Sequence, residues 1–341
     1  MVSRRLGAFL LTSVIGISAC GSSAATTAPA APAATTAPAA TAAPTATTAH
    51  TVTIALVPGG TGDNFWTTMN CGVYAAAKAA GATVTTNIPI NATAIEQKPI
   101  IDAVTAQKPD ILLVSATDST VMQAPIQAAA NAGIKVVFVN SATDDPSFAV
   151  TSVTTDDVAG GALAFAAIKK LKPAGGKVLV MGSMPGSQNT DNRDKGFEAA
   201  IKADPAYTYL GIQYSKNTAI LATQLVAAAL QKDPDMVAIF AAGSITAQGS
   251  AAGLKQVGKQ GQVALVGFDA GPGQIAEIKD GSVQALIAQS PFLIGQKGVQ
   301  AGLDALAGKP VDKIIQTPVT VITKDNVDTA EGKAAAYQAS C

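Results

Sequence analysis

The sequence has few of the residues on which most catalytic sites depend. His50 is the only histidine in 341 residues, and the three cysteines, Cys20, Cys71 and Cys341, lie far apart. A single histidine excludes Ser-His-Asp triads, Cys-His pairs and multi-histidine metal sites. The wide cysteine spacing excludes CxxC redox motifs and zinc knuckles. We therefore predict that the chain is not an enzyme and holds neither a metal ion nor a cofactor.

Net charge, aromatic residues and arginine are also scarce. Lys and Arg together number 23 and balance 23 Asp and Glu, and aromatic residues make up only 4% of the chain. A chain without excess positive charge lacks the surface that binds nucleic acid, so we expect no nucleic-acid partner. Arginine occurs only at Arg4, Arg5 and Arg193. If the first two belong to a removable leader, Arg193 is the only guanidinium left to hold a polar ligand.

The first 50 residues have the composition of an export signal followed by a tether. Arg4 and Arg5 precede an apolar run from Leu6 to Ile17, which predicts a signal peptide over residues 1–19. The sequence Ile17-Ser-Ala-Cys20-Gly resembles the lipobox of bacterial lipoproteins, so we expect lipidation of Cys20. The alternative is an ordinary signal peptide with an incidental cysteine. Residues 20–50 are rich in Ala, Thr and Pro and predict a disordered tether.

These features predict a protein of the cell envelope. A lipid on Cys20 would anchor it to the membrane, with the folded part facing outside the cytoplasm.

From Thr51 onward, short apolar runs alternate with helical stretches. Roughly ten strand-like runs occur in two series of similar rhythm, which indicates an α/β fold with two doubly wound lobes of parallel sheet. One predicted loop lies between a strand at Lys177–Met181 and a helix that starts at Phe197, and it contains Arg193. In such sheets ligands bind beyond the carboxyl ends of the strands.

The loops that follow these strands carry aromatic, charged and amide side chains. They include Phe65 and Trp66, Arg193, and Asp269. Aromatic rings stack on the apolar faces of sugars, and charged or amide groups hydrogen-bond to their hydroxyls. This inventory is typical of a site for a carbohydrate or polyol.

The order of these segments resembles the sugar-binding, type 1 periplasmic binding proteins of ATP-driven importers. The resemblance extends from about Thr51 to Thr323. It is carried by Asp63-Asn-Phe-Trp66, Gln107–Ser115, Asn189–Phe197, Val266-Gly-Phe-Asp269 and Ile287–Gly295. It implies two lobes joined by three crossovers, a ligand in the cleft between them and closure by hinge bending. The implied boundaries are 51–142 and 290–310 for the first lobe, 143–289 and 311–324 for the second, and 325–341 for a tail.

Eight residues stand at positions that match the ligand contacts of this family. They are Asp63, Phe65, Trp66, Asn140, Asn189, Arg193, Asp269 and Gln289. Other roles remain open for five of them: Asp63 and Asp269 suit helix caps, Phe65 and Trp66 suit ordinary core positions, and Arg193 suits a surface ion pair. Gly243-Ser244 follows Phe240-Ala-Ala where many sugar binders have an Asn-Asp pair, so we expect a ligand other than ribose.

The resemblance implies a monomeric receptor that delivers a sugar or polyol to the permease subunits of an ABC transporter. The alternative is a sensory receptor that reports a sugar-like or quorum signal to a signalling partner. Cys71 and Cys341 remain after Cys20 is lipidated, and in an exported protein we expect them to form a disulfide. The alternative is two free thiols, with Cys71 buried.

Overall fold

The computed structural model describes residues 50–341, together with Ala25 and Thr27. The predicted signal peptide over 1–19, the lipidation at Cys20 and most of the predicted tether over 20–50 lie outside the described residues. Within the described part of the chain, no helix combines the length and the apolar character needed to cross a membrane.

From Thr53 onward, strands alternate with helices. The strands are β1 (Thr53–Val57), β2 (Thr83–Thr86), β3 (Ile111–Val114), β4 (Lys135–Val139), β5 (Thr151–Thr155), β6 (Gly176–Gly182), β7 (Tyr207–Tyr214), β8 (Met236–Ala241), β9 (Ala264–Phe268), β10 (Ala285–Ala288), β11 (Ile314–Thr317) and β12 (Thr320–Thr323). The helices are α1 (Asn64–Ala79), α2 (Ala94–Gln107), α3 (Gln123–Asn131), α4 (Asp157–Leu171), α5 (Gln188–Lys202), α6 (Ala219–Lys232), α7 (Ser244–Gln256), α8 (Pro272–Asp280), α9 (Pro291–Leu306) and α10 (Ala330–Ala335).

The described strands form two six-stranded sheets, each at the centre of one lobe. The strand order is β11-β5-β4-β3-β1-β2 in the first lobe and β12-β10-β9-β8-β6-β7 in the second. Neighbouring strands run parallel except for β10 and β12. Central strands such as β3 are buried along their whole length, which explains their continuous apolar sequence. The predicted α/β fold with two doubly wound lobes is confirmed.

Between Thr53 and Thr323 the chain passes from one lobe to the other three times. The first passage precedes α4, which packs on α5 and β9 of the second lobe. The second lies between β10 and α9, since α9 packs on α1 and β4 of the first lobe. The third connects β11 to β12.

Two of the predicted lobe boundaries need correction. β5 pairs with β4, and β11 pairs with β5, so residues 143–155 and 311–317 belong to the first lobe. Neither strand is a continuous apolar run, so neither was predicted. β5 has the polar sequence TSVTT, and β11, with the sequence IIQT, is a largely exposed edge strand. Threonine is β-branched and suits a strand as well as valine does, so a polar strand is easily overlooked.

Helix α5 begins earlier than predicted. The chain is already helical at Gln188, so Arg193 lies on a helix and not in the loop that precedes it. Two glycines allow close packing of α4 and α5. A Cβ atom at Gly161 would lie 2.0 Å from the Arg193 carbonyl oxygen, and one at Gly196 would lie 2.0 Å from that of Val158. This close approach places Arg193 beside the first turn of α4.

The segment that follows β12 contacts both lobes. α10 packs against β12, and the backbone N–H of Tyr337 donates to the Ala270 carbonyl at 2.9 Å. The next residue, Gln338, donates its backbone N–H to Thr68 Oγ1 on α1 at 2.8 Å. At the end of the chain, Cys341 is disulfide-bonded to Cys71, also on α1. The tail predicted over 325–341 therefore runs from the second lobe to the first.

A candidate ligand-binding cleft between the lobes

A cavity of about 590 Å³ lies where the carboxyl ends of the two sheets face each other. Ligands of parallel α/β sheets bind at these strand ends. The eight residues predicted to contact a ligand all line the cavity: Asp63, Phe65, Trp66, Asn140, Asn189, Arg193, Asp269 and Gln289. The structure therefore brings the whole predicted set together. Their role as ligand contacts stays a prediction.

The first turn of α1 forms an aromatic wall of the cavity. Asp63 is the N-cap of this helix and accepts a hydrogen bond from the Phe65 backbone N–H at 2.9 Å, which fixes where the helix begins. Phe65 is buried, and its ring meets Trp66 edge-on with centroids 4.9 Å apart. A Cβ atom at Gly59 would lie 2.7 Å from the Trp66 ring, so glycine leaves room for the indole.

Arg193 is buried in the second lobe and is held on three sides. Its Nε donates to Asp157 Oδ1 at 2.8 Å, and its Nη1 donates to the Ala242 carbonyl at 2.9 Å. The guanidinium lies over the Phe268 ring at 3.8 Å from the centroid. Its Nη2 is buried without a hydrogen-bond partner among the described residues. The surface ion pair considered for Arg193 is therefore replaced by a buried one, which leaves one nitrogen for another acceptor.

Asn140 and Asp269 occupy equivalent positions in the two lobes. Each directly follows a central strand, β4 or β9, and each has a backbone φ of 75°. Asn and Asp adopt this left-handed conformation more readily than other residues with side chains. Both backbone N–H groups donate to the neighbouring strand, at Val153 and Ile287 respectively. This geometry directs one polar side chain from each lobe into the cavity.

Asn189 lies near the start of α5, where it is half-buried at the cavity wall. Its Oδ1 accepts a hydrogen bond from Ser187 Oγ at 2.8 Å. The side chain is thereby oriented by the residue that caps the helix.

Ser244 connects two carboxylates from different lobes. Its hydroxyl donates to Asp63 Oδ2 of the first lobe, and its backbone N–H donates to Asp269 Oδ2 of the second at 3.1 Å. Burial raises the pKa of the Asp63 carboxyl, and the nearby negative charge of Asp269 adds to that shift. In the sequence, Ser244 is visible only as a departure from the family pattern. Its small side chain in fact forms a hydrogen bond across the cleft.

Gln289 lies at the second passage between the lobes, and both ends of its amide bind protein groups. Its Oε1 accepts from Thr155 Oγ1 at 2.8 Å, and its Nε2 donates to Asp269 Oδ1 at 2.7 Å. Thr155 and Asp157 therefore support the cavity residues Gln289 and Arg193 from behind. Thr155 ends the polar strand β5 and Asp157 lies two residues beyond it, so no motif in the sequence indicates either one.

A family model for the periplasmic binding protein domain matches residues 54–310. The chain belongs to this family. The expected family is thus confirmed over most of the folded part, including the strand ends that form the cleft. Because the family consists of binding proteins that act outside the cytoplasm, membership supports the prediction that the chain is exported and is not an enzyme.

Named relatives and solved structures cover nearly the same part of the chain. The ribose import binding protein of Bacillus subtilis is 29% identical over 273 residues, or 80% of this chain and 87% of that protein. An ABC transporter solute-binding protein from Agrobacterium vitis, solved with alpha-D-tagatopyranose, has a TM-score of 0.82 and 33% identity, and the match covers 84% of this chain and 99% of that chain. A second protein from this organism, solved with D-fucose, has a TM-score of 0.79 and 29% identity, with 84% and 100% coverage.

Proposed function

We propose that this protein captures a sugar or polyol in the cleft and delivers it to an ABC importer. The observation that carries the proposal is a matched donor and acceptor in the cavity wall. Arg193 Nη2 and Asn140 Oδ1 are buried, belong to cavity-lining residues and have no hydrogen-bond partner among residues 50–341. A sugar or polyol carries several hydroxyls, each of which donates and accepts, so it supplies partners for both groups. The Trp66 ring supplies an apolar surface for the ligand ring.

The relatives support a sugar but do not agree on one. Their names and bound ligands include ribose, allose, tagatose and fucose. In this chain Gly243-Ser244 stands at the position where the family resemblance implies the Asn-Asp pair of many sugar binders, and Ser244 is already hydrogen-bonded to two carboxylates. We therefore propose a sugar or polyol other than ribose.

The mechanism is closure of the two lobes around the ligand. Aromatic contact from the first lobe and hydrogen bonds from both lobes are complete only when the lobes approach each other. A ligand shifts this equilibrium by the difference between its affinities for the closed and open forms. The passages between the lobes are the hinges, as in other proteins that close around a ligand.

Calorimetric titration tests the capture step. The panel consists of D-ribose, D-allose, D-tagatose, D-fucose, D-arabinose and the polyols ribitol and xylitol. We expect one of them to bind with a Kd in the micromolar range or below, and ribose to bind at least about tenfold more weakly, a difference of about 1.4 kcal/mol. If none of the compounds produces heat of binding, the sugar-receptor proposal is wrong.

Delivery to a permease requires a protein-binding surface on both lobes. Exposed isoleucines flank the cavity on each side. Ile95 follows the lining residues Asn91 and Ala92 and is 87% exposed, and Ile220 follows the lining residue Thr218 and is 76% exposed. A partner that covers both side chains would bury apolar surface on each lobe at once. They support the permease subunits as the partner.

Replacing Ile95 and Ile220 by serine is expected to reduce sugar uptake without changing sugar affinity. Burial of one such side chain contributes about 1.5–3 kcal/mol, so loss of both should lower uptake about tenfold or more at limiting receptor concentration. Uptake of radiolabelled sugar in cells that express the importer measures the effect. The matched control is Ile314→Ser, because Ile314 is 64% exposed at the start of β11, on the side away from the cleft. Equal uptake by the double variant and the control would exclude this surface.

The sensory alternative has no specific observation in its favour, because the relatives with a stated role are import proteins. Uptake by the wild-type protein distinguishes the two functions, since a sensor would bind sugar without supporting uptake.

We also propose that Cys20 is lipidated, that the lipid anchors the protein to the membrane, and that the protein is a monomer. The basic start, apolar run and lipobox-like sequence support the lipid anchor. Incorporation of labelled palmitate into wild type but not into Cys20→Ser tests the lipidation. Size-exclusion chromatography with light scattering on residues 50–341 tests the monomer.

A further inference from the structure

Tyr337 fills the space behind the ligand cleft without lining the cavity. It belongs to the tail beyond the last strand, and only 5% of it is exposed. Its hydroxyl donates to Asp269 Oδ1 at 3.0 Å and accepts a hydrogen bond from the Gln289 backbone N–H at 3.0 Å. Both partners line the cavity. A single hydroxyl therefore connects two candidate ligand contacts from behind.

The Asp269 carboxylate is oriented by three donors. Oδ2 accepts from the Ser244 backbone N–H, and Oδ1 accepts from Gln289 Nε2 and from Tyr337. Removal of the tyrosine hydroxyl leaves one side-chain amide on Oδ1 and no acceptor for the Gln289 N–H in its present position. Burial raises the pKa of Tyr337 well above its ordinary value, and the charge of Asp269 adds to this. The hydroxyl therefore remains protonated and stays a donor.

The tail fixes Tyr337 to both lobes. On the second lobe, its backbone N–H donates to the Ala270 carbonyl. On the first lobe, its ring contacts Phe65 edge-on, with centroids 6.2 Å apart. The residues beyond it attach to α1 through the Gln338–Thr68 hydrogen bond and the Cys71–Cys341 disulfide. Tyr337 is thus held next to candidate ligand contacts of both lobes.

We propose that Tyr337 is a positioning residue of the binding site, which holds Asp269 and Gln289 in the orientation that binds the ligand. The inference rests on the proposed function. It extends the site to the C-terminal tail and to a residue that does not touch the ligand.

The test compares Tyr337→Phe with wild type by calorimetry against the seven compounds of the panel. Phenylalanine keeps the ring against Phe65 and removes only the hydroxyl. Because hydrogen bonds to charged groups are stronger than neutral ones, affinity for the tightest-binding compound should fall about tenfold or more.

The matched control is Tyr207→Phe. Tyr207 is also buried in the second lobe, but its hydroxyl donates to the Lys172 carbonyl away from the cavity. This variant should lose thermal stability and keep its affinity.

A double-variant comparison distinguishes positioning from a general structural role. If Tyr337 acts through Asp269, the change to phenylalanine should lower affinity less than about threefold when Asp269 is already alanine. Ligand-induced shifts in melting temperature at high sugar concentration measure these weak affinities. An unchanged affinity in Tyr337→Phe, or an equal loss with and without Asp269, overturns the proposal.

Melting temperatures measured without ligand test the role of Tyr337 independently of the proposed function. The melting temperature of Tyr337→Phe should fall in the wild-type background and fall clearly less in the Asp269→Ala background, where only the Gln289 N–H loses its partner. If no panel compound binds wild type, the proposed function fails while this comparison still decides whether the hydroxyl acts on Asp269. An equal fall in both backgrounds overturns the positioning role.

Discussion

Arg193→Ala is expected to weaken ligand binding and to destabilise the protein at the same time. Arg193 and Asp157 form an ion pair in which the side chains are only 3% and 5% exposed. Removing one partner of a buried pair leaves an uncompensated charge and costs about 3–5 kcal/mol of the free energy of unfolding. Loss of the free Nη2 donor should also reduce affinity for the bound sugar about 10- to 100-fold. Urea denaturation and calorimetry measure the two effects.

A second substitution separates these effects. Asp157→Asn in the Arg193→Ala chain removes the unpaired charge, so much of the stability should return while the affinity stays low. Lys177→Ala is the matched control, because Lys177 pairs with Asp233 and Asp235 at the surface and is 33% exposed. A pair of that kind is worth about 1 kcal/mol or less. Wild-type affinity in Arg193→Ala would show that the guanidinium does not contact the ligand.

Cys341→Ser should lower the free energy of unfolding by about 2–5 kcal/mol. The disulfide to Cys71 joins residues that are 270 positions apart, so it restricts the unfolded chain over most of the folded part. Urea denaturation of the oxidised protein and of the variant measures the difference. The variant should also bind sugar more weakly, because the tail that carries Tyr337 is then held to α1 only by noncovalent contacts such as the Gln338–Thr68 hydrogen bond and the Phe65–Tyr337 ring contact.

The Cys71–Cys341 disulfide can also be removed by reduction or from its other end, and both changes serve as controls. Wild type in the presence of dithiothreitol should unfold like Cys341→Ser, and the variant should not respond to the reductant. Cys71→Ser should lose the same stability, and the double variant should lose no more. A wild type whose unfolding is unaffected by reductant would contradict the prediction.

The sequence predicted the architecture because most strands are continuous apolar runs. β1, β3 and β8 are buried between helices, and such strands cannot carry polar residues without losing stability. Strand β5 gave no such pattern although it is also mostly buried, because four of its five residues are Thr or Ser; its place in the sheet is seen only from its pairing with β4 and β11. The lobe boundaries that depended on it were accordingly wrong.

Site residues that directly follow a strand could be predicted from the sequence. Contacts that depend on how distant helices or the tail pack together could not. Asn140 and Asp269 directly follow β4 and β9, so their positions follow from the strands. The Arg193–Asp157 pair depends on the close approach of α4 and α5 at Gly161 and Gly196, which no local pattern indicates. Tyr337 lies behind Asp269 and Gln289 only because the tail folds back across both lobes.

The pairing of Arg193 with Asp157 also bears on the electric charge of the ligand. Asp157 already neutralises the guanidinium, which leaves Asp63, Asp269 and Lys216 as the remaining ionisable side chains in the described cavity wall. A phosphorylated or carboxylated sugar would bring further negative charge close to two aspartates, at an electrostatic cost that grows as the closing lobes exclude water. The cleft would thus discriminate against sugar acids and sugar phosphates before the stereochemistry of any hydroxyl is tested.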